Sequence, residues 1–130
     1  MAMKGSNAER ELCTELWEKG YATLRAPGSG SIQRPSPDVV ALRGINPTDI
    51  IAIELKAAHD GTANFKAAEI KELEQWADRC NAIALVGIKP DLRTFDGWLF
   101  LETFKLNKTE KGYSIRKQDH DKTFGLEWFA

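Results

Sequence analysis

Apolar residues near the start of the chain recur with helical periodicity, at Leu12, Cys13, Leu16 and Trp17, and Ser6-Asn7-Ala8-Glu9 has the spacing of a capping box. Together they predict a helix over roughly 7–19, stopped by Gly20. Tyr21 to Arg25 reads as a short strand. The next segment, 26–37, holds three prolines, two glycines and three serines, which makes it a loop. Loops that long inside a compact domain tend to be functional or disordered, so this one is a candidate substrate-contacting segment. Asp38 to Arg43 and Ile50 to Lys56 are two strands, joined through the breaker-rich 44–49 and expected to pair as a hairpin.

From Asn64 the pattern changes. Phe65, Ile70, Leu73, Trp76, Ala77 and Cys80 fall on one face of an amphipathic helix ending near Arg79. Ala82 to Ile88 is almost continuously apolar, as a central strand covered on both faces must be, and Gly97 to Leu101 is read as a further strand. Phe104 to Ile115 suits a helical turn and an edge hairpin around Lys111-Gly112. The tail residues Phe124, Leu126, Trp128 and Phe129 are too apolar to stand in water, so they should dock on the core or on a partner subunit. The order α-β-(loop)-β-β-α-β-β predicts an α/β protein with a central mixed β-sheet flanked by helices.

Length and composition add bounds. With 130 residues and 42% hydrophobic content, the chain is expected to form a single domain over 1–130. The first ~5 residues and loop 26–37 are expected to be mobile. There are 18 Lys plus Arg against 19 Asp plus Glu, a formal net charge of −1, so no overall basic field advertises a nucleic-acid partner. No apolar run is long enough for a membrane span, and no secretory signal follows the first lysine; the expectation is a cytoplasmic protein with no membrane partner. Cys13 and Cys80 are read as buried thiols.

Candidate chemistry sits on the predicted hairpin. Alternate side chains of a strand share a face, so Glu54 and Lys56 project together while Ile53 and Leu55 face the other way. If the hairpin pairs as expected, Asp38 starts its strand where the next one ends, beside Glu54. Two adjacent carboxylates repel and raise each other's pKa unless a cation lies between them. A hard, oxygen-ligated ion such as Mg²⁺ or Mn²⁺ would resolve the repulsion, with the Leu55 backbone carbonyl as a further ligand, and Lys56 could hold a water or stabilise a phosphate. The same residues also fit an ordinary strand ion pair with an aspartate after proline. Glu9 is either the closing residue of the capping box or a further acidic ligand, and Arg10 either a solvated charge or a phosphate clamp.

These blocks, in order, resemble a family. Lys4-Gly-Ser-Asn-Ala-Glu9-Arg10-Glu-Leu12, Gly20-Tyr21 with Arg25 leading into Gly28-Ser-Gly-Ser31, Pro37-Asp38-Val-Val-Ala41, and Ala52-Ile-Glu54-Leu-Lys56-Ala57 look like the archaeal-type Holliday junction resolvases, of the PD-(D/E)xK nuclease superfamily. Phe65 to Trp76 is similar to that family's second helix. The resemblance implies a restriction-endonuclease-like fold and a homodimeric, Mg²⁺-dependent endonuclease that nicks opposing strands of four-way junction DNA. It needs no small-molecule cofactor. Residue by residue, it implies that Glu9, Asp38 and Glu54 hold metal and Lys56 assists the attacking water. It also implies that Arg10 and Arg25 contact the backbone and that Ser31, with Ser29 beside it, approaches the cleaved phosphate. Lys4 is a further phosphate contact, and Arg34 joins the DNA-binding set on charge alone. Two divalent cations per chain would turn the formal −1 into +3.

Other motifs lead elsewhere or nowhere. Gly28-Ser-Gly30-Ser-Ile-Gln33 ends in glutamine and runs into prolines, which is no dinucleotide loop. His59 and His120 have no zinc-like spacing, and Asp119-His120-Asp121 reads as a solvated turn. The Phe65 and Trp76 stripe suits a core, with Phe65 alternatively meeting a partner chain in a dimer. Glu69, Glu72, Glu74 and Asp78 are assigned to a helix surface that faces away from DNA. The competing functions are another PD-(D/E)xK nuclease cutting linear duplex and a non-catalytic junction-binding module. Retention of every acidic and basic member of the site speaks against the second.

Overall fold

The computed structural model describes residues 5–26, 35–44, 49–92 and 97–130. In chain order the elements are α1 (Gly5–Glu18), β1 (Ala22–Arg25), β2 (Val39–Arg43), β3 (Asp49–Ala57), β4 (Ala63–Lys66), α2 (Ala67–Cys80), β5 (Ile83–Lys89), β6 (Leu99–Glu102), β7 (Asn107–Lys108) and β8 (Gly112–Ile115). Five strands form the main sheet in the order β1-β2-β3-β5-β6. β2 pairs antiparallel with β3 as the hairpin predicted, and β3 pairs parallel with β5 through the α2 crossover. The sheet is therefore mixed.

The alternation along each strand sorts the core into two layers. Ile51, Ile53 and Leu85 pack with Leu12 and Leu16 of α1 on one face. Ala52, Val86 and Ile88 pack with Ile70, Leu73 and Ala77 of α2 on the other. β5 feeds both layers, which is why its sequence is apolar without interruption. α2 stops where Asn81 takes a left-handed conformation (φ 58°), a common helix terminator.

Several sequence expectations change at long-range contacts. Phe65 is not in the helix. Residues 63–66 form β4, which pairs with β8 in the register Phe65↔Tyr113, and burial alternates along it with the period of a strand. This second sheet, in the order β4-β8-β7, closes over the α2 layer, and Phe65 is buried there rather than presented to a partner. Gly112 is what lets β8 come so close, because a Cβ there would lie 2.2 Å from the Phe65 carbonyl oxygen. Over the described residues α1 runs from Gly5, so Ser6 lies within the helix rather than at its N-cap position. The tail docks on the core of its own chain: Phe129 is fully buried and meets Phe100 edge-to-face at 5.1 Å.

Asp119-His120-Asp121 is not a solvated turn. Asp119 is buried in a 3-10 turn over Lys117–Lys122 and accepts hydrogen bonds from its own N-cap residue, Arg116, through both Nε and Nη2 at 2.9 Å. The guanidinium beside it holds its carboxyl down to about 2. His120 Nε2 lies 2.7 Å from the Gly61 carbonyl oxygen. Cys13 and Cys80 are half-buried free thiols, less enclosed than expected. Among the described residues no helix is long and apolar enough to cross a membrane.

Candidate active site

The ladder between β2 and β3 ends at Val39↔Ile53. Beyond it β2 has no residue laddered to Leu55, whose N–H therefore needs an acceptor from outside the ladder. Asp38 fills that role with its side chain: Oδ2 accepts the Leu55 N–H at 2.9 Å. The aspartate is thereby fixed at the open end of the sheet, across from Glu54, where the hairpin pattern predicted it.

Neither carboxylate has enough positive charge around it. Burial, followed by the negative charge of Asp38 and then of Glu69, pushes Glu54 up to about 8, and Lys56 offsets only part of this. Burial also raises Asp38, against the lowering effect of its Leu55 hydrogen bond, and the charges of Glu9 and Glu69 raise it further. A pair of half-desolvated carboxylates that will not both ionise is a donor set suited to a hard divalent cation, which would supply the missing charge.

The third expected carboxylate is held differently. Glu9, on α1, pairs with Arg25 of β1 (Oε1–Nε 3.5 Å), although its charge is felt at both Asp38 and Glu54. Among the described residues no three Asp, Glu, His or Cys side chains converge closely enough to enclose a metal ion. The structure thus brings Asp38, Glu54 and the Leu55 backbone together, with Glu9 and Arg25 paired at the rim. Arg10 is exposed on α1. Lys4, Ser29, Ser31 and Arg34 lie outside the described residues.

Glu69 is the residue the pattern missed. The helical pattern puts it on a surface facing away from DNA, yet the Lys56 Nζ lies 2.9 Å from both of its carboxylate oxygens. Its Oε1 also accepts the Lys66 N–H at 2.9 Å, closing the first turn of α2. A signal existed, since a crossover helix that follows a strand starts near that strand's C-terminal end. The intervening β4, whose short alternation the helical pattern of Phe65 and Ile70 absorbs, hid it.

Comparison with known proteins identifies the family. The family model for the archaeal Holliday junction resolvases (Hjc) matches residues 1–129. The chain is 35% identical over 115 residues to the crossover junction endodeoxyribonuclease Hjc of Archaeoglobus fulgidus, covering 88% of this chain and 80% of that protein. It is 33% identical over 129 residues to the enzyme of the same name from Sulfurisphaera tokodaii, covering 95% and 83%. The solved structure of Archaeoglobus fulgidus Hjc, a Holliday junction resolvase, superposes with a TM-score of 0.84 at 30% identity over 96% of this chain and 99% of that one. The mixed sheet between helices is accordingly a restriction-endonuclease-like fold. Membership of such a nuclease family carries a divalent-metal requirement and a role in DNA recombination and repair. The chain belongs to the archaeal Holliday junction resolvases and is a crossover junction endodeoxyribonuclease acting on four-way DNA.

Proposed function

We propose that this enzyme cuts with Mg²⁺, or Mn²⁺ in its place, held by Asp38, Glu54, Glu9 and the Leu55 carbonyl, and that Lys56 assists the attacking water. The observation that carries this reading is the half-buried Asp38–Glu54 pair, with Glu54 held at about 8 although Lys56 shares its strand face. When bound, the cation would supply Lewis-acid stabilisation of phosphate charge and a more acidic water. Glu54 must lose its proton to serve as a ligand, and Asp38 stays oriented through Leu55. The Lys56 ammonium offsets charge building on the phosphate. Arg10 and Arg25 are proposed to hold the DNA backbone, with Lys4, Ser29, Ser31 and Arg34 contributing from the N-terminal segment and the loop. Release of Arg25 from Glu9 would free both for these roles.

Paired nicks in opposing strands need two sites, so we propose a homodimer of single nuclease domains working in the cytoplasm on junction DNA. The test compares a synthetic four-way junction with linear duplex of the same sequence, with and without Mg²⁺. Metal-dependent, paired nicks in the junction alone are expected. Equal cutting of the duplex would favour a repair or restriction nuclease instead. Wild-type rates for Glu54→Gln or Lys56→Ala would refute the site.

A further inference from the structure

Lys56 has two carboxylates to choose from. Glu54 shares its face of β3, and Glu69 reaches it from the first turn of α2. A lysine on a flexible four-carbon stem would settle on whichever is better placed. The choice falls on Glu69, whose two oxygens each lie 2.9 Å from Nζ. Glu69 is itself immobilised by the Lys66 N–H at the start of α2. Against the cost of its burial, the bonds from Lys66 and Lys56 hold its carboxyl below the usual range, so it remains a charged partner.

We infer that Glu69 is a positioning residue: fixed by the first turn of α2, its carboxylate clamps the Lys56 ammonium beside the Asp38–Glu54 pair rather than on it. This rests on the reading of Lys56 as the group that assists attack. The physical consequence is a division of charge. With Lys56 tied to α2, the two carboxylates keep their oxygens free for a cation, and the ammonium is presented at a constant place. Both side chains of the clamp are about a quarter to a third exposed, 33% for Lys56 and 25% for Glu69. Such a pair adds little to fold stability. Its loss should therefore show in where the lysine sits and how fast the enzyme cuts, more than in whether it folds.

The test uses Glu69→Gln, whose amide oxygen still accepts the Lys66 N–H but carries no charge. In protein without added metal, reductive methylation followed by mass spectrometry should label Lys56 several-fold faster in the variant than in wild type, with Lys71 unchanged as the exposed control. The single-turnover cleavage rate on a four-way junction in Mg²⁺ should fall by about 10- to 100-fold, while junction Kd and melting temperature hold. Glu69→Asp, which keeps the charge on a shorter arm, should recover part of the rate. The double variant Lys56→Ala/Glu69→Gln should be no slower than Lys56→Ala.

Unchanged Lys56 labelling, no recovery by Glu69→Asp, or a rate loss that multiplies with that of Lys56→Ala would each overturn the clamp. Wild-type cutting by Lys56→Ala would remove the underlying reading of the lysine instead, a result that Glu69 variants cannot mimic. If Glu69→Gln melts well below wild type, the labelling comparison is made on the Glu69→Asp protein, where intermediate protection of Lys56 supports the clamp and none overturns it.

Discussion

Glu54 stores a cost that the free protein bears until a cation arrives. Its carboxyl titrates near 8 in the native state against 4.5 in the unfolded chain. Between those values the unfolded chain has released its proton and the native state has not, so stability falls as pH rises through that window. Glu54→Gln removes the group that must ionise. In chelator, its thermal stability is expected to match wild type near pH 4 and to exceed it increasingly toward pH 8, by roughly 2–4 kcal/mol at the top of the range. Denaturant melts across pH measure this. The variant is expected to be inactive throughout. Added Mg²⁺ should stabilise wild type by preferential binding to the native state and the variant much less. A variant no more stable than wild type at pH 8 would mean that Glu54 is already compensated in the free protein.

The elements show where local pattern gives way to pairing. β3 and β5 are legible because a strand buried on one or both faces must write its environment into its sequence. β4 alternates too, Ala63-Asn64-Phe65-Lys66, but over four residues that run straight into a helical pattern, and pairing with β8 makes it a strand. The C-terminal turn is similar. Its apolar residues announced docking, but the sequence left open whether they met this core or another subunit. Phe129 fills the space between Phe100 and Tyr21, while Arg43 donates to its carbonyl at 3.3 Å. Phe129→Ala is expected to cost about 3–5 kcal/mol in urea unfolding, as deletion of a buried aromatic does. Trp128→Ala, at a side chain 42% exposed, should cost far less. Equal losses would argue against the docking.

For the whole molecule, the near-zero charge is less informative than its placement. Acidic residues at the open end of the sheet are the proposed cation ligands, and each neighbouring element carries a single basic residue, Arg10 on an otherwise acidic α1 and Arg25 on β1. Junction affinity should then depend on local contacts. Arg10→Ala is expected to weaken binding and to reduce the slope of log affinity against log salt by about 1, measured in Ca²⁺. An unchanged slope would remove Arg10 from the phosphate contacts.

What the sequence determined by itself is most of the frame: the strands of the main sheet, the two helices and the hairpin, with Asp38, Glu54 and Lys56 brought to one end of it. Those features follow from periods of two and 3.6 residues and from the few partners a buried charge can accept. Tertiary structure alone decided that residues 63–66 pair with 112–115, that Asp119 is buried against Arg116, that Glu9 meets Arg25, and that Glu69 turns inward to Lys56. Each joins side chains through packing of separate elements, or through a turn whose burial depends on what lies over it. Local periodicity records which face of an element is wet or dry. It does not record which charge on another element will be waiting there.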